Sequence, residues 1–349
     1  MKTLLALVLS CSLIVSIDAA VIQVNNNSGS DADYELLQEA IDEASYGDTL
    51  YISGSPNYYD GSSTIRLNKR LTLIGPGYFL GENLGLANNL TAKLYALVVG
   101  SGADGSRIMG LDMTRGYTST IASSGITNQN ADGSSSTNPP DNITFERNIF
   151  YNMYIKGSGH LIQNNYLRAL TINNVTDNTI IQNNIFSHGI GDGTSYSYTY
   201  TNLLIQNNIL NGVSDINGAD IVNNIFVNDT NVNDCDNGQI KNNVFTTTES
   251  GAISATSTGN TIQDNLFEKA EGTLFVSSSP SIDADYKLNG LSPAKDAGFN
   301  GVDAGAYGGS SAYVVSGIPP IPNITELTTT GTGTTSGGIQ VRVKATVNQ

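Results

Sequence analysis

Seven times between residues 145 and 267 the chain repeats one short phrase: FERNIF, IQNNYL, IQNNIF, IQNNIL, IVNNIF, IKNNVF and IQDNLF. One asparagine is common to all copies, at Asn148, Asn165, Asn184, Asn208, Asn224, Asn243 and Asn265, with successive spacings of 17, 19, 24, 16, 19 and 22 residues. Periods near 20 are the signature of stacked β-repeats, in which each coil is one supersecondary unit buried by its neighbours. A residue depleted in strands yet fixed in phase inside apolar segments needs a structural reason.

Each copy has an apolar residue, Phe145 or an isoleucine, three positions before the shared asparagine and an apolar pair directly after it. The pattern predicts two short strands joined by a corner. Asparagine tolerates the left-handed backbone region and so can make the bend. With coils stacked at roughly 4.8 Å, like asparagines superpose and their amides can pair in a ladder, which satisfies polar groups that the core would otherwise strand.

The rest of the chain supports an all-β reading. It has 349 residues, 39% hydrophobic but only 13% charged, a composition of short strands and many turns rather than of helices. A net charge of −15 disfavours nucleic acid and anionic membranes as partners. Residues 1–20 combine Lys2, an apolar run and a small-residue end at Ala19–Ala20, the plan of a secretory signal peptide, so the expected location is secreted or cell-surface. No later segment is apolar enough to span a membrane as a helix. Once that leader is removed Cys235 is the remaining cysteine, which excludes a disulfide within the chain.

Residues 33–46, DYELLQEAIDEASY, place Leu36, Leu37, Ala40, Ile41 and Ala44 at helical spacing, with Asp31 or Asp33 as N-cap and Gly47 as stop. Such a helix is expected to cap the open end of the first coil. GDTLYIS (47–53) and KRLTLIGPGY (69–78) read as the first strands, and SRIMGLDM (106–113) as a further coil. A long polar insertion follows at 114–142, and SPAKDAGFNGVDAGAYGG (292–309) is expected to close the stack. The expected organisation is a leader (1–20), a helix-capped solenoid (21–310), a proline-rich linker (311–322) and a C-terminal β tail (323–349). In that tail IQVRVKATV alternates strictly, so it either folds back along the solenoid or serves as a recognition tag.

LQEAIDEASYGDTLYIS…RLTLIGPGYFLG, the NNIF phrases and SPAKDAG…VDAGAYGG together resemble secreted right-handed parallel β-helix proteins of the pectate lyase-like superfamily, over roughly residues 33–310. The resemblance implies a three-sheet right-handed solenoid. It leaves the activity open, because that superfamily holds lyases, hydrolases and proteins with no known reaction.

A polysaccharide lyase needs a cationic group or Ca²⁺ against a uronate carboxylate, and a base for the adjacent proton. The candidates are Lys156, His160 and Arg168, which fall at different phases from their ladder asparagines and form no evident clamp. Carboxylates recur once per coil, at Asp192, Asp215, Asp229, Glu249 and Glu271, and would form an acidic stripe. Asp192 and Asp215 are its catalytic candidates, spaced like glycosidase carboxylates, and Asp192, Asp215 and Asp229 its Ca²⁺ candidates. A solvated acidic face is the plainer reading of the same residues. In SHGIGDGTSYSYTYTN (187–202), Tyr196, Tyr198 and Tyr200 alternate onto one face near His188, a ligand-binding set that could stack on sugar rings; a tyrosine ladder between strands is the plainer reading of the same residues. NDTNVNDCDNG (228–238) echoes a calcium loop but lacks its glycine and its final glutamate.

With few positioned bases, the balance favours a non-catalytic secreted or surface solenoid with a scaffold or carbohydrate-contacting role, requiring no cofactor. The alternative is a polysaccharide lyase or glycoside hydrolase acting on an extracellular acidic polysaccharide. The sequence fixes no oligomeric state.

Overall fold

The computed structural model describes residues 19–82, 86–114, 138–173, 176–192, 198–227, 232–329, 331–333 and 338–347, and the backbone of 124–126. Residues 1–18 of the expected leader, most of the 114–142 insertion, Tyr196 and Asp229 lie outside them. The chain winds into a parallel β-solenoid of about 9 turns. Its first face is an 11-stranded sheet running from Val21–Val24 to Thr261–Gln263. The second and third faces join into a 13-stranded sheet, because Ile149–Ile155 and Tyr166–Ile172 continue through the corner between them. Later coils break there into separate strands such as Ile185–Phe186 and Gly189–Asp192.

Register keeps like residues above one another. Phe145, Ile162, Ile181, Ile205, Ile221 and Ile240 pair in succession down the first face and are all at most 1% exposed. Each contributes roughly 1.5–3 kcal/mol of burial, so the column is a main source of cohesion.

The asparagine pairs divide two tasks that the sequence reading gave to one residue. The first position makes the bend: Arg147, Asn164, Asn183, Asn207, Asn223, Asn242 and Asp264 all have φ between 52° and 59°. The second forms the ladder. Asn165 Nδ2 donates to Asn184 Oδ1 at 3.0 Å and to Phe145 O at 2.9 Å, while its backbone N–H reaches the same Oδ1 at 2.9 Å. The pattern repeats from Asn148 to Asn265. A second chain of amides runs outside the first face, where Gln182 Nε2 donates to Gln163 Oε1 and Gln206 Nε2 to Gln182 Oε1, at 2.9 and 2.7 Å.

Of the apolar pair after each ladder asparagine, one residue points in and one out. Phe186 and Phe226 enter the core, whereas Ile149, Ile185, Ile209, Ile225 and Val244 face outward and are buried by a second cluster with Leu274, Ala294, Ala304, Ala306 and Tyr313. Residues 292–309 therefore lie along the side of the second face and do not close the stack. The bend asparagines hold this strap: Asn183 Nδ2 donates to Ala306 O and Gly308 O, Asn164 Nδ2 to Ser311 O, and Asn223 Oδ1 accepts from Phe299 N. The strap continues into the segment read as a linker. Tyr313, Ser316 and Ile318 are buried, and Arg147 Nη1 donates to Ile318 O at 2.8 Å. Asp283, fully buried, accepts from Ser316 N and Tyr313 Oη, and Tyr313 pairs with Tyr78.

The helix is shorter than expected, Leu37–Glu43, and packs on the first strands through Leu37, Ala40 and Ile41. Neither Asp31 nor Asp33 caps it; Asp60 from the third strand accepts from Leu37 N at 2.9 Å. The alternating tail strand, Val341–Val347, pairs antiparallel with Pro322–Thr329 instead of with the solenoid.

Candidate functional site

The corner between the second and third faces gathers side chains from consecutive coils. Phe150 pairs with Leu167 and Asn152 with Ala169, which sets Tyr151 beside Arg168. The next coil carries one extra residue at this corner, since Leu167 pairs with Phe186 but Leu170 with Ile190. That extra residue brings His188, four after its ladder asparagine, next to Arg168, three after its own: His188 N donates to Arg168 O at 2.9 Å. Asn211 follows, its backbone N–H on His188 O at 2.7 Å. Two residues that the sequence reading assigned to different candidate sets, Arg168 and His188, are therefore neighbours on adjacent coils.

Arg168 is held in place by its own coil neighbours. Its Cζ lies 5.1 Å from the centroid of the Tyr151 ring, and Nη1 donates to Asn152 Oδ1 at 3.1 Å. Arg168 also borders a cleft of about 490 Å³ on the second face. Its apolar wall is an edge-to-face run of Tyr78, Phe79 and Tyr166, with centroids 5.2 and 5.4 Å apart. Asp112 lies on the same side, with Oδ1 occupied by the Thr114 amide and hydroxyl. Across the corner, His188 and Asn211 border a second cleft of about 710 Å³ on the third face. Gly189 and Gly212 form its floor; a Cβ on Gly189 would sit 2.2 Å from Gly212 O, so the coils approach here as only glycine allows. Both clefts fall within the roughly 300–1,000 Å³ of small-ligand sites.

The other candidates separate. His160 is 1% exposed; its Nδ1 accepts from Ile143 N at 3.2 Å and its Nε2 donates to Lys156 O at 3.1 Å. Burial pushes its pKa down to about 4, so the ring is a neutral internal tie and not an accessible base. Lys156 contributes that carbonyl from the turn beyond the third face. Tyr200 is 2% exposed and donates to Asp192 Oδ2 at 2.9 Å, and Tyr198 donates to Asp177 Oδ2 at 2.9 Å. Their rings meet edge to face at 5.0 Å. The buried Tyr200 ring is not a platform for a sugar, and burial beside Asp192 raises its hydroxyl pKa.

The acidic stripe survives in part. Pairing of Gly191 with Ser214 and of Ser214 with Asn233 puts Asp192, Asp215 and Asp234 on successive coils. Glu249 starts a short helix and Glu271 a 3-10 turn, away from that line. Among the described residues no group of three His, Cys, Asp or Glu side chains is placed to hold a metal ion. Cys235 is buried, and desolvation pushes its thiol pKa up to about 12.

Sequence reasoning missed Tyr78, Phe79, Asp112, Tyr151 and Tyr166. One signal was present: Tyr166 stands in IQNNYL where most other copies have isoleucine. No protein-family model matches the chain, and no curated protein matches it either.

Proposed function

We propose that this chain is an exported, non-catalytic parallel β-helix protein of the pectate lyase-like type whose second-to-third-face corner contacts carbohydrate. The observation that carries the reading is the seating of Arg168: its guanidinium is braced on Tyr151 and Asn152, between two clefts, with an aromatic wall alongside. Aromatic faces accept the apolar faces of sugar rings, while guanidinium, imidazole and amide groups from Arg168, His188 and Asn211 suit hydroxyl or isolated carboxylate groups. One guanidinium on a chain of net charge −15 suits a hydroxyl-rich saccharide better than a dense polyanion. Binding is favoured over cleavage because His160 is sealed inside and Asp192 is engaged by Tyr200. Export rests on the leader-like residues 1–20.

The test is retention on a panel of neutral and acidic glycans, with and without Ca²⁺ and with product detection. Arg168→Ala and Tyr166→Ala should each weaken retention about tenfold or more, near 1.4 kcal/mol, without product release. Absence of retention on every glycan overturns the reading in favour of a scaffold. Accumulating unsaturated or newly reducing ends overturn it in favour of the lyase or hydrolase.

A further inference from the structure

Among the described residues nothing covers the last coil of the solenoid. Ile262 continues the column of Ile240, which is 1% exposed, yet is itself 47% exposed. Phe267 continues the stacked ring column at 5.3 Å from Phe245 and is only partly buried, as is Ile253 on the third face. Among the described residues strand Thr261–Gln263 pairs with a strand on one side only. The asparagine ladder stops there too: every earlier member gives its backbone N–H to the next Oδ1, and Asn265 has no next member among the described residues. A hollow of about 670 Å³ at this end is lined by Ile253, Ile262 and Phe267, with Glu249 and Glu268 at its edge.

The same chain carries an unpartnered strand of complementary character. Among the described residues Val341–Val347 has one strand neighbour, Pro322–Thr329, and its outer edge pairs with none. Its row Val341, Val343 and Val347 is 54–58% exposed and continues across the pair into Leu327 and Ile324, at 56% and 47%. The opposite face carries Arg342 and Lys344, with Glu326 paired to Arg342 at 3.5 Å. Around the open end the carboxylates Glu249, Asp264, Glu268 and Glu271 outnumber Lys241 and Lys269. An exposed apolar strand edge and an open sheet edge of opposite charge bias are the two halves of a β-augmentation contact.

The two surfaces cannot meet within one copy. Ile318 is tied to the coil of Arg147, and Ile324 O accepts from Ala87 N at 2.9 Å, which pins the hairpin toward the first coils. From the first-face strand Thr144–Glu146 to Thr261–Gln263 there are six strand steps, roughly 29 Å at the usual spacing. We propose that copies of this chain associate head to tail, the Val341–Val347 edge of one adding a strand to the Thr261–Gln263 edge of the next. The valine row would then continue the core column over Ile262, and Arg342 and Lys344 would lie on the outer, acidic side. The contact is heterologous, so it propagates instead of stopping at a dimer.

Sedimentation velocity of the full exported chain up to about 100 µM, a range that detects micromolar or weaker contacts, should show a mass that rises with concentration past the dimer. Ile262→Lys spoils the acceptor end and Val343→Lys the donor strand. Each variant alone should be monomeric with an unchanged far-UV spectrum. Mixed together they should form a 1:1 dimer that grows no further, because the mixture holds one intact pair of surfaces. A wild-type monomer throughout the range, growth persisting in either variant, or no dimer on mixing overturns the proposal.

Discussion

Replacing Asn208 by alanine tests whether the inner asparagines hold the coils together. Asn208 Oδ1 accepts both the backbone N–H and Nδ2 of Asn184, each at 3.0 Å. Its Nδ2 donates to Ile181 O, Gln206 O and Asn224 Oδ1 at 2.9–3.0 Å. Truncation leaves the Asn184 N–H buried without its acceptor, about 1–3 kcal/mol, and removes further bonds worth a net ~1 kcal/mol each. The expected loss is about 3–5 kcal/mol. Asn207→Ala, one residue earlier, loses only contacts at 3.4 Å and puts alanine at φ 52°, costing about 1–2 kcal/mol. Asn208→Asp keeps the shape but sets a carboxylate oxygen against Asn224 Oδ1, so at neutral pH it should be at least as damaging as alanine. Urea unfolding followed by far-UV circular dichroism measures all three, with a shared m-value confirming that the same unit unfolds. If Asn207→Ala costs as much as Asn208→Ala, or Asn208→Ala costs under about 1 kcal/mol, the ladder is not what couples the coils.

Three further outcomes follow from buried groups. His160 has its pKa held near 4 by burial, so between about pH 6.5 and 4 the unfolded chain takes up a proton that the folded one excludes; stability should fall by roughly 3 kcal/mol as pH drops through that window, and His160→Gln should flatten the profile. Asp283→Ala removes the acceptor of Ser316 N, Ser281 Oγ and Tyr313 Oη; with charge-assisted bonds worth ~1.5–3 kcal/mol each, the strap should loosen, giving proteolysis near residues 310–318 and binding of an apolar dye to the bared isoleucine column. Cys235, with its thiol pKa near 12 and its side chain buried, should resist thiol reagents at pH 8 until denaturant is added.

The solenoid was legible because its repeat acts at two levels at once. A period near 20 residues could be counted, and only coaxial stacking gives the seven inner asparagines partners. The division of labour within each pair was harder to see, although FERNIF held the clue. There arginine occupies the bend while the ladder asparagine is kept, so bending does not demand asparagine and laddering does. The strap was missed for a similar reason. Side chains alternate across a strand, so two consecutive apolar residues after each corner cannot both face inward. A repeated outward isoleucine at residues 149, 185, 209 and 225 required something to cover it, and the alanine- and glycine-rich 292–309 segment was the small-residue surface available.

The site was less legible than the fold because its geometry depends on one inserted residue. Phase counted from the asparagines is reliable only while every coil spends the same number of residues between corners. At 187–189 the chain spends one more, and the count misplaces His188 by the amount that separates it from Arg168. For Tyr198 and Tyr200 the difficulty is another: alternation gives them a common side but cannot say which side, and Asp177 and Asp192 draw both hydroxyls into hydrogen bonds within the chain. Lining residues such as Tyr78 and Phe79 come from outside the repeats, so no period could have pointed to them. In a solenoid the regular positions encode cohesion, and ligand-facing chemistry is therefore to be sought where a copy departs from its neighbours. Tyr166 among isoleucines and the extra residue at the His188 corner are two such departures, and they border the same pair of clefts.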